Sequence, residues 1–209
     1  MRKQVILILI FFANCTLYSQ TDIQFENLNN IKSKTNRAIR RVIQSNKTQF
    51  NIPMVFDSVD ISNGVTCTKE FCPLFYVNER YILMDDLIDL NIKNSPYKYC
   101  ISYIGKIQIN NQVNSYLFYF KGSNVEWSVY LDYLLLVNVK KNVVKSVAKV
   151  YKEYSDNFGS VHKITSKFEK DKIIISSSRA HYDQIPFTGE TKNTGYIILE
   201  ETGYLKGEK

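Results

Sequence analysis

Three short stretches of this 209-residue chain hold side chains able to do chemistry. "TCTKEFC" places Cys67 and Cys72 with four residues between them. "DDLID" groups Asp85, Asp86 and Asp89, and "SSRAHYD" sets Ser178, Arg179, His181 and Asp183 close together. A thiol pair can hold zinc, exchange disulfides or staple a loop. Clustered carboxylates suit a hard cation such as Ca²⁺, and a histidine between an arginine and an aspartate suits proton transfer.

The compartment decides the thiol question. The chain opens "MRKQVILILIFFANCTLYSQ", with Arg2 and Lys3 ahead of an unbroken apolar run from Val5 to Ala13. That run falls well short of the ~20 residues that cross a bilayer as a helix, and it fits the core of a secretory leader. Residues 1–19 are therefore expected to be a signal peptide, cut between Ser19 and Gln20. A lipid anchor on Cys15 is the alternative; Asn14 argues against it, because the residue before a lipidated cysteine is small. No second long apolar run follows, so no membrane span is expected. The product is read as exported: periplasmic, outer-membrane-associated or extracellular.

Export leaves Cys67, Cys72 and Cys100 in an oxidising setting, where disulfides persist. A zinc site usually takes four ligands, and the two histidines, His162 and His181, lie far downstream. Redox-active pairs usually have two residues between their cysteines. Cys67 and Cys72 are thus read as a disulfide closing a surface loop, which contributes about 2 kcal/mol if unstrained. A Cys72–Cys100 pair is the alternative.

Asp85, Asp86 and Asp89 are interleaved with Leu87, Ile88 and Leu90 and read as an acidic turn. The rival reading is a small secreted hydrolase using carboxylates, with Ca²⁺ held at these three. Strand alternation sets Arg179, His181 and Asp183 on one face. No G-x-S-x-G elbow accompanies them, and the eight glycines never form a phosphate loop. No catalytic residue, metal or cofactor is assigned.

Tyrosine is in excess, 15 against 12 phenylalanines and one tryptophan. A tyrosine can bury its ring and wet its hydroxyl, which suits both half-exposed sheet and binding faces. Tyr97, Tyr99 and Tyr103 alternate along one segment. If they face outward they are a ligand-binding row for a glycan or a protein; if inward they are core. The 27 basic and 20 acidic residues give +7; losing Arg2 and Lys3 leaves 25 against 20, or +5. That mild excess favours solubility and does not argue for nucleic acid. The expected function is an exported, non-catalytic β-rich binding or interaction protein.

The elements that must position these residues follow from periodicity. Leu28, Ile31, Thr35, Ala38, Ile39 and Val42 recur at helical spacing, which predicts an amphipathic helix from about residue 23 to 45 within an N-terminal segment, 20–50. Its basic outer side, with Lys32, Lys34, Arg37 and Arg41, reads as a solvated face. From residue 51 to 209 the period is two. "IPMVFDSVDI", "YKYCISYIGKIQIN", "SYLFYF", "VEWSVYLDYLLLVNV", "VVKSVAKVYKEY", "VHKITSKF", "IIISSSRAHY" and "YIILEETGYL" read as strands, with "KGSN", "KKN", "SDNFGS", "EKDK" and "KNTG" as turns.

Alternation predicts Tyr99, Ile101, Tyr103, Ile107 and Ile109 on one face, and Val144, Ala148, Val150 and Tyr154 on another. The strand 127–139 is expected near the centre of a sheet covered on one side. Short connections argue for an antiparallel meander, forming an open barrel or a propeller-like sheet beside the N-terminal helix.

The recurring pattern of a strand, a Lys/Asn/Asp/Gly tip and a second strand, seen in "LLLVNVKKNVVKSVAKVY", "ITSKFEKDKIIISSS" and "YIILEETGYLK", resembles uncharacterised secreted proteins and lipoproteins of Bacteroidota. Their Tyr-rich C-terminal halves are built the same way. The resemblance spans about residues 100–205 and includes the leader ending in Ser-Gln. Lys-Lys-Asn stands here where Asp-x-x-Gly is usual. The resemblance implies an exported compartment and a hairpin-built sheet, and implies no activity.

Overall fold

A computed structural model of the chain describes residues 24–28, 48–57, 76–77, 80–81, 97–124, 129–141, 143–155, 159–181 and 191–208. The protein is mainly β. Eight consecutive strands run antiparallel, each beside the next: β6 (Tyr97–Ile107), β7 (Asn114–Asn124), β8 (Val129–Lys140), β9 (Val143–Ser155), β10 (Ser160–Phe168), β11 (Ile173–His181), β12 (Thr191–Leu199) and β13 (Leu205–Glu208). Three short early strands join the same open sheet. β1 (Phe25–Asn27) pairs β9, β2 (Gln49–Phe50) runs parallel to β6, and β3 (Met54–Phe56) pairs β10. β4 (Tyr76–Val77) and β5 (Arg80–Tyr81) form a separate hairpin.

The turns carry the chemistry such turns need. Between β6 and β7 the Asn110 side-chain oxygen accepts from the amides of Gln112 and Val113, at 3.0 and 2.9 Å, a local bond that bends the chain. Lys141 turns β8 into β9 with φ 51°. Gly203, at φ +90°, closes the β12–β13 turn with its amide 2.9 Å from the Glu200 carbonyl. A Cβ there would lie 2.9 Å from Lys145, so glycine is required twice over, by conformation and by space.

The sheet is curled. β2 lies beside β6, while β3 lies beside β10 in the place that β9 leaves. In a flat sheet those two positions are roughly 19 Å apart, about four strand spacings. The chain from Phe50 to Met54 reaches at most about 14 Å. The curl brings the Phe50 and Phe56 rings to 6.1 Å and those of Phe56 and Phe168 to 5.4 Å, both edge-on. One core cluster then takes a residue from every long strand, among them Ile107, Leu117, Leu136, Ala148, Phe168, Ile173, Ile197 and Leu205.

β9 and β10 pair only between Lys152–Ser155 and Val161–Ile164. Beyond that they part, β9 taking β1 and β10 taking β3. Side chains tie the parted elements together. The Asn27 carboxamide bridges β1 to the backbone of Leu205 in β13. A buried chain runs from the Ser115 hydroxyl to Asn138 Oδ1 (2.7 Å), from Asn138 Nδ2 to Ser146 Oγ (2.9 Å), and from the Ser146 hydroxyl to the Gly203 carbonyl (2.7 Å). It fastens β7, β8 and β9 to the β12–β13 turn. Every polar group in it has a partner, as burial demands.

Several expectations are corrected. Cover on one side of the central strand fails: Leu134 and Leu136 are buried, and so are Tyr133, Leu135 and Val137 on the opposite side. A near-continuous apolar run is the mark of a strand covered on both faces. Alternation across "YKYCISYIGKIQIN" breaks at a bulge in which Ile104 is the extra residue. Tyr103 stays opposite Phe118, while Ile107 and Ile109 join the core cluster. Gly105, beside the bulge, lets the β2 segment approach closely, since a Cβ there would meet Phe50 Cε2 at 2.7 Å and the Thr48 carbonyl at 2.9 Å. Two bulges in β9 likewise divide Val144, Ala148, Val150 and Tyr154.

"KGSN" and "KNTG" are strand, not turn, because Lys121–Asn124 pair with β8 and Lys192–Gly195 with β11. Phe25–Asn27, inside the expected helix, are a strand on β9. Residues 29–45, the later part of that helix, lie outside the described residues, as do residues 1–19.

Candidate functional site

Strand register assembles what spacing could not. Lys121 on β7 lies opposite Asp132 on β8, Asp132 opposite Glu153 on β9, and Glu153 opposite Lys163 on β10. Ser178 on β11 and Lys192 on β12 continue the row. Directly opposed residues have Cβ atoms about 4.5–5.5 Å apart. Two carboxylates therefore stand side by side with a lysine beyond each.

Like charges facing across a ladder repel, and the surroundings respond. Asp132 is half-buried, and that desolvation pushes its carboxyl above the usual aspartate value; Lys121 and a hydrogen bond from Tyr119 pull it down, and Glu153 raises it further. Glu153 is exposed and accepts a 2.6 Å hydrogen bond from the Tyr151 hydroxyl. Tyr119 and Tyr151 are buried and belong to the core cluster. Burial, then the charge of Asp132 and the bond to it, raise the Tyr119 phenol well above its ordinary value. The pair thus sits on a rim, where core tyrosines put their hydroxyls on surface carboxylates.

Beyond β9 the row opens onto the solvent side of β10, β11 and β12. Next to it runs a hydroxyl row, Thr165, Ser176 and Thr194, in register, with the last two hydroxyls 3.2 Å apart. A third row passes from Val55 through Lys167, Ile174 and Tyr196 to Glu208. Lys167 pairs with Glu169 at 2.7 Å, and Lys172 Nζ sits 5.4 Å from the centre of the Tyr196 ring.

Of the residues singled out by spacing, Ser178 stands in the carboxylate row, between Lys163 and Lys192. Of the expected tyrosine row, Tyr103 is 8 % exposed, packed on Phe118 at 5.4 Å and edge-on to Tyr116 at 6.1 Å. Burial and the neighbouring Tyr116 push its phenol up to about 12. Tyr97 and Tyr99 occupy β6 positions opposite Asn124 and Gly122; their side chains, with Cys15, Cys67, Cys72, Asp85, Asp86, Asp89 and Asp183, lie outside the described residues. Cys100 stands opposite Lys121. Arg179 is exposed and faces buried His162 across the ladder, while His181 ends β11 opposite Ser160. Among the described residues no helix is long and apolar enough to cross a membrane. No group of three His, Cys, Asp or Glu among them is placed to hold a metal ion.

Chemically, the row offers hydrogen bonding and charge to a molecule lying across the strands. Its two carboxylates differ in environment, one half-buried and one exposed. No family model, curated protein or solved structure matches the chain.

Proposed function

We propose that this is an exported binding protein without catalysis, a signal-peptide-cleaved chain whose curled sheet forms an open barrel and whose ligand lies across β10, β11 and β12. One observation carries this reading. The solvent side of those strands presents hydroxyls and lysines in register, and the core uses none of them. A glycan or a protein surface is the kind of ligand such a face accepts. Retention of the purified chain on immobilised glycans, reversible and without change to the glycan, is the expected result. Turnover of the bound glycan defeats this reading.

A second reading has a specific support of its own, the Asp132–Glu153 pair. A half-buried carboxyl raised above its ordinary value beside an exposed one is how two carboxylates come to differ in role, and glycosidases work with two carboxylates. A secreted hydrolase would release chromophore from aryl glycosides and lose that activity in Asp132→Asn and Glu153→Gln. The open position of Glu153 on the rim favours binding over hydrolysis, since catalysis gains from excluding water.

A further inference from the structure

We propose that the exposed side of β10, β11 and β12 binds an acidic polysaccharide, an extended glycan carrying carboxylate or sulfate groups. This names the ligand class of the surface proposed above and rests on that reading. The first support is charge. Lys163, Lys167 and Lys192 project from the outward positions of β10 and β12, and Lys172 enters β11 on the same side; against these four stand Glu169, beside Lys167 and Lys172, and Glu153, opposite Lys163. A run of lysines along one face attracts a polyanion more than any compact anion, because each meets a separate charge.

The second support is the hydroxyl row. Thr165, Ser176 and Thr194 repeat at the strand spacing of about 4.8 Å, close to the length of one sugar ring along an extended glycan. Each hydroxyl can donate and accept, as sugar hydroxyls do. Tyr196, with Lys172 over its ring, supplies an amphipathic surface for a sugar face. Its apolar members include Val55 and Ile174, smaller than the aromatic anchors that dominate protein–protein interfaces, and among the described residues Tyr196 is its one aromatic, too few to stack successive bases.

The test is calorimetric titration of the full mature chain with alginate, dextran sulfate, neutral dextran, duplex DNA and polyglutamate at low and high salt. Expected is binding to alginate or dextran sulfate and none to neutral dextran. The double variant Lys163→Gln/Lys192→Gln should weaken it about tenfold and flatten the salt dependence by about one unit of slope per lysine. Ser176→Ala/Thr194→Ala should weaken it several-fold with the slope unchanged; melting curves confirm that both variants fold.

Neutral dextran binding equally well overturns the proposal. Affinities unmoved in either folded variant do the same. Equal affinity for DNA or polyglutamate reassigns the face to another class of macromolecule and also overturns it. No binding to either acidic glycan, alongside retention on some other glycan or protein, removes the acidic polysaccharide and leaves the binding reading intact. Turnover of the glycan removes the latter instead.

Discussion

The Asn27 carboxamide donates to the Leu205 carbonyl and accepts from the Leu205 amide, 2.8 Å each way, so a side chain does for β1 and β13 what a strand ladder does elsewhere. Leu205 is buried. Its two backbone groups have been taken out of water and must be paired.

Asn27→Ala should therefore cost more than two ordinary hydrogen bonds, because it strands both groups. We expect a loss of about 2–3 kcal/mol and a fall in melting temperature of about 5–10 °C for a domain of this size. Asn27→Asp should fare no better at neutral pH, since its carboxylate meets the Leu205 carbonyl without a proton to offer. It should partly recover below about pH 4, where the acid regains a donor. An Asn27→Ala protein that melts with the parent shows the bridge to be incidental.

Asp132→Asn should stabilise the protein at neutral pH. Burial raises the folded carboxyl above its ordinary 3.8, so the folded state binds its proton more tightly than the unfolded chain does. Stability from this group is then greatest below 3.8 and is lost as pH rises through the folded value. Asparagine keeps the polar contact with Tyr119 and removes the charge next to Glu153. A gain of about 1–3 °C at pH 7 is expected, vanishing near pH 3. A variant less stable than the parent at pH 7 would mean that the attraction of Lys121 outweighs burial.

Alkali should unfold the protein through its buried phenols. Tyr103 rises from 10.0 to about 12, and Tyr116 and Tyr119 are raised as well, all chiefly by burial. A phenol harder to ionise when folded gives stability that is complete below pH 10 and is lost as pH rises towards 12. Absorbance titration near 295 nm should show late-ionising tyrosines, and Tyr103→Phe should move the alkaline unfolding midpoint upward. A midpoint unchanged in that variant would place the alkaline weakness elsewhere.

The strands were legible because a two-residue period needs no partner to be seen; "VVKSVAKVYKEY" and "IIISSSRAHY" announce β9 and β11 by themselves. The site was not legible, because it depends on register. Counting back from the Lys140–Val143 pair sets Tyr151 opposite Asp132, and only the two bulges of β9 put Glu153 there. Bulges leave little trace in composition. The same cause moved Ile107 and Tyr103 to different sides of β6. "KGSN" and "KNTG" misled because glycine and asparagine favour turns only until a neighbouring strand claims their backbone, as β8 and β11 do. The Lys163, Ser176 and Thr194 face carried a visible signal, the outward residues of each strand, but their alignment across three strands came from pairing.

β1, β2 and β3 have one trait in common: each waits for a strand made much later. Phe25 meets Ala148, Phe50 meets Ile107, Phe56 meets Ser166, and Asn27 meets a residue 178 positions onward. At ribosomal speeds of about 5–20 residues per second, that last contact lies roughly 9–36 s behind the appearance of Asn27. Such distant pairings are slow to form. The opening of the chain is thus kept pliant until its tail emerges, and consolidation happens late and at once.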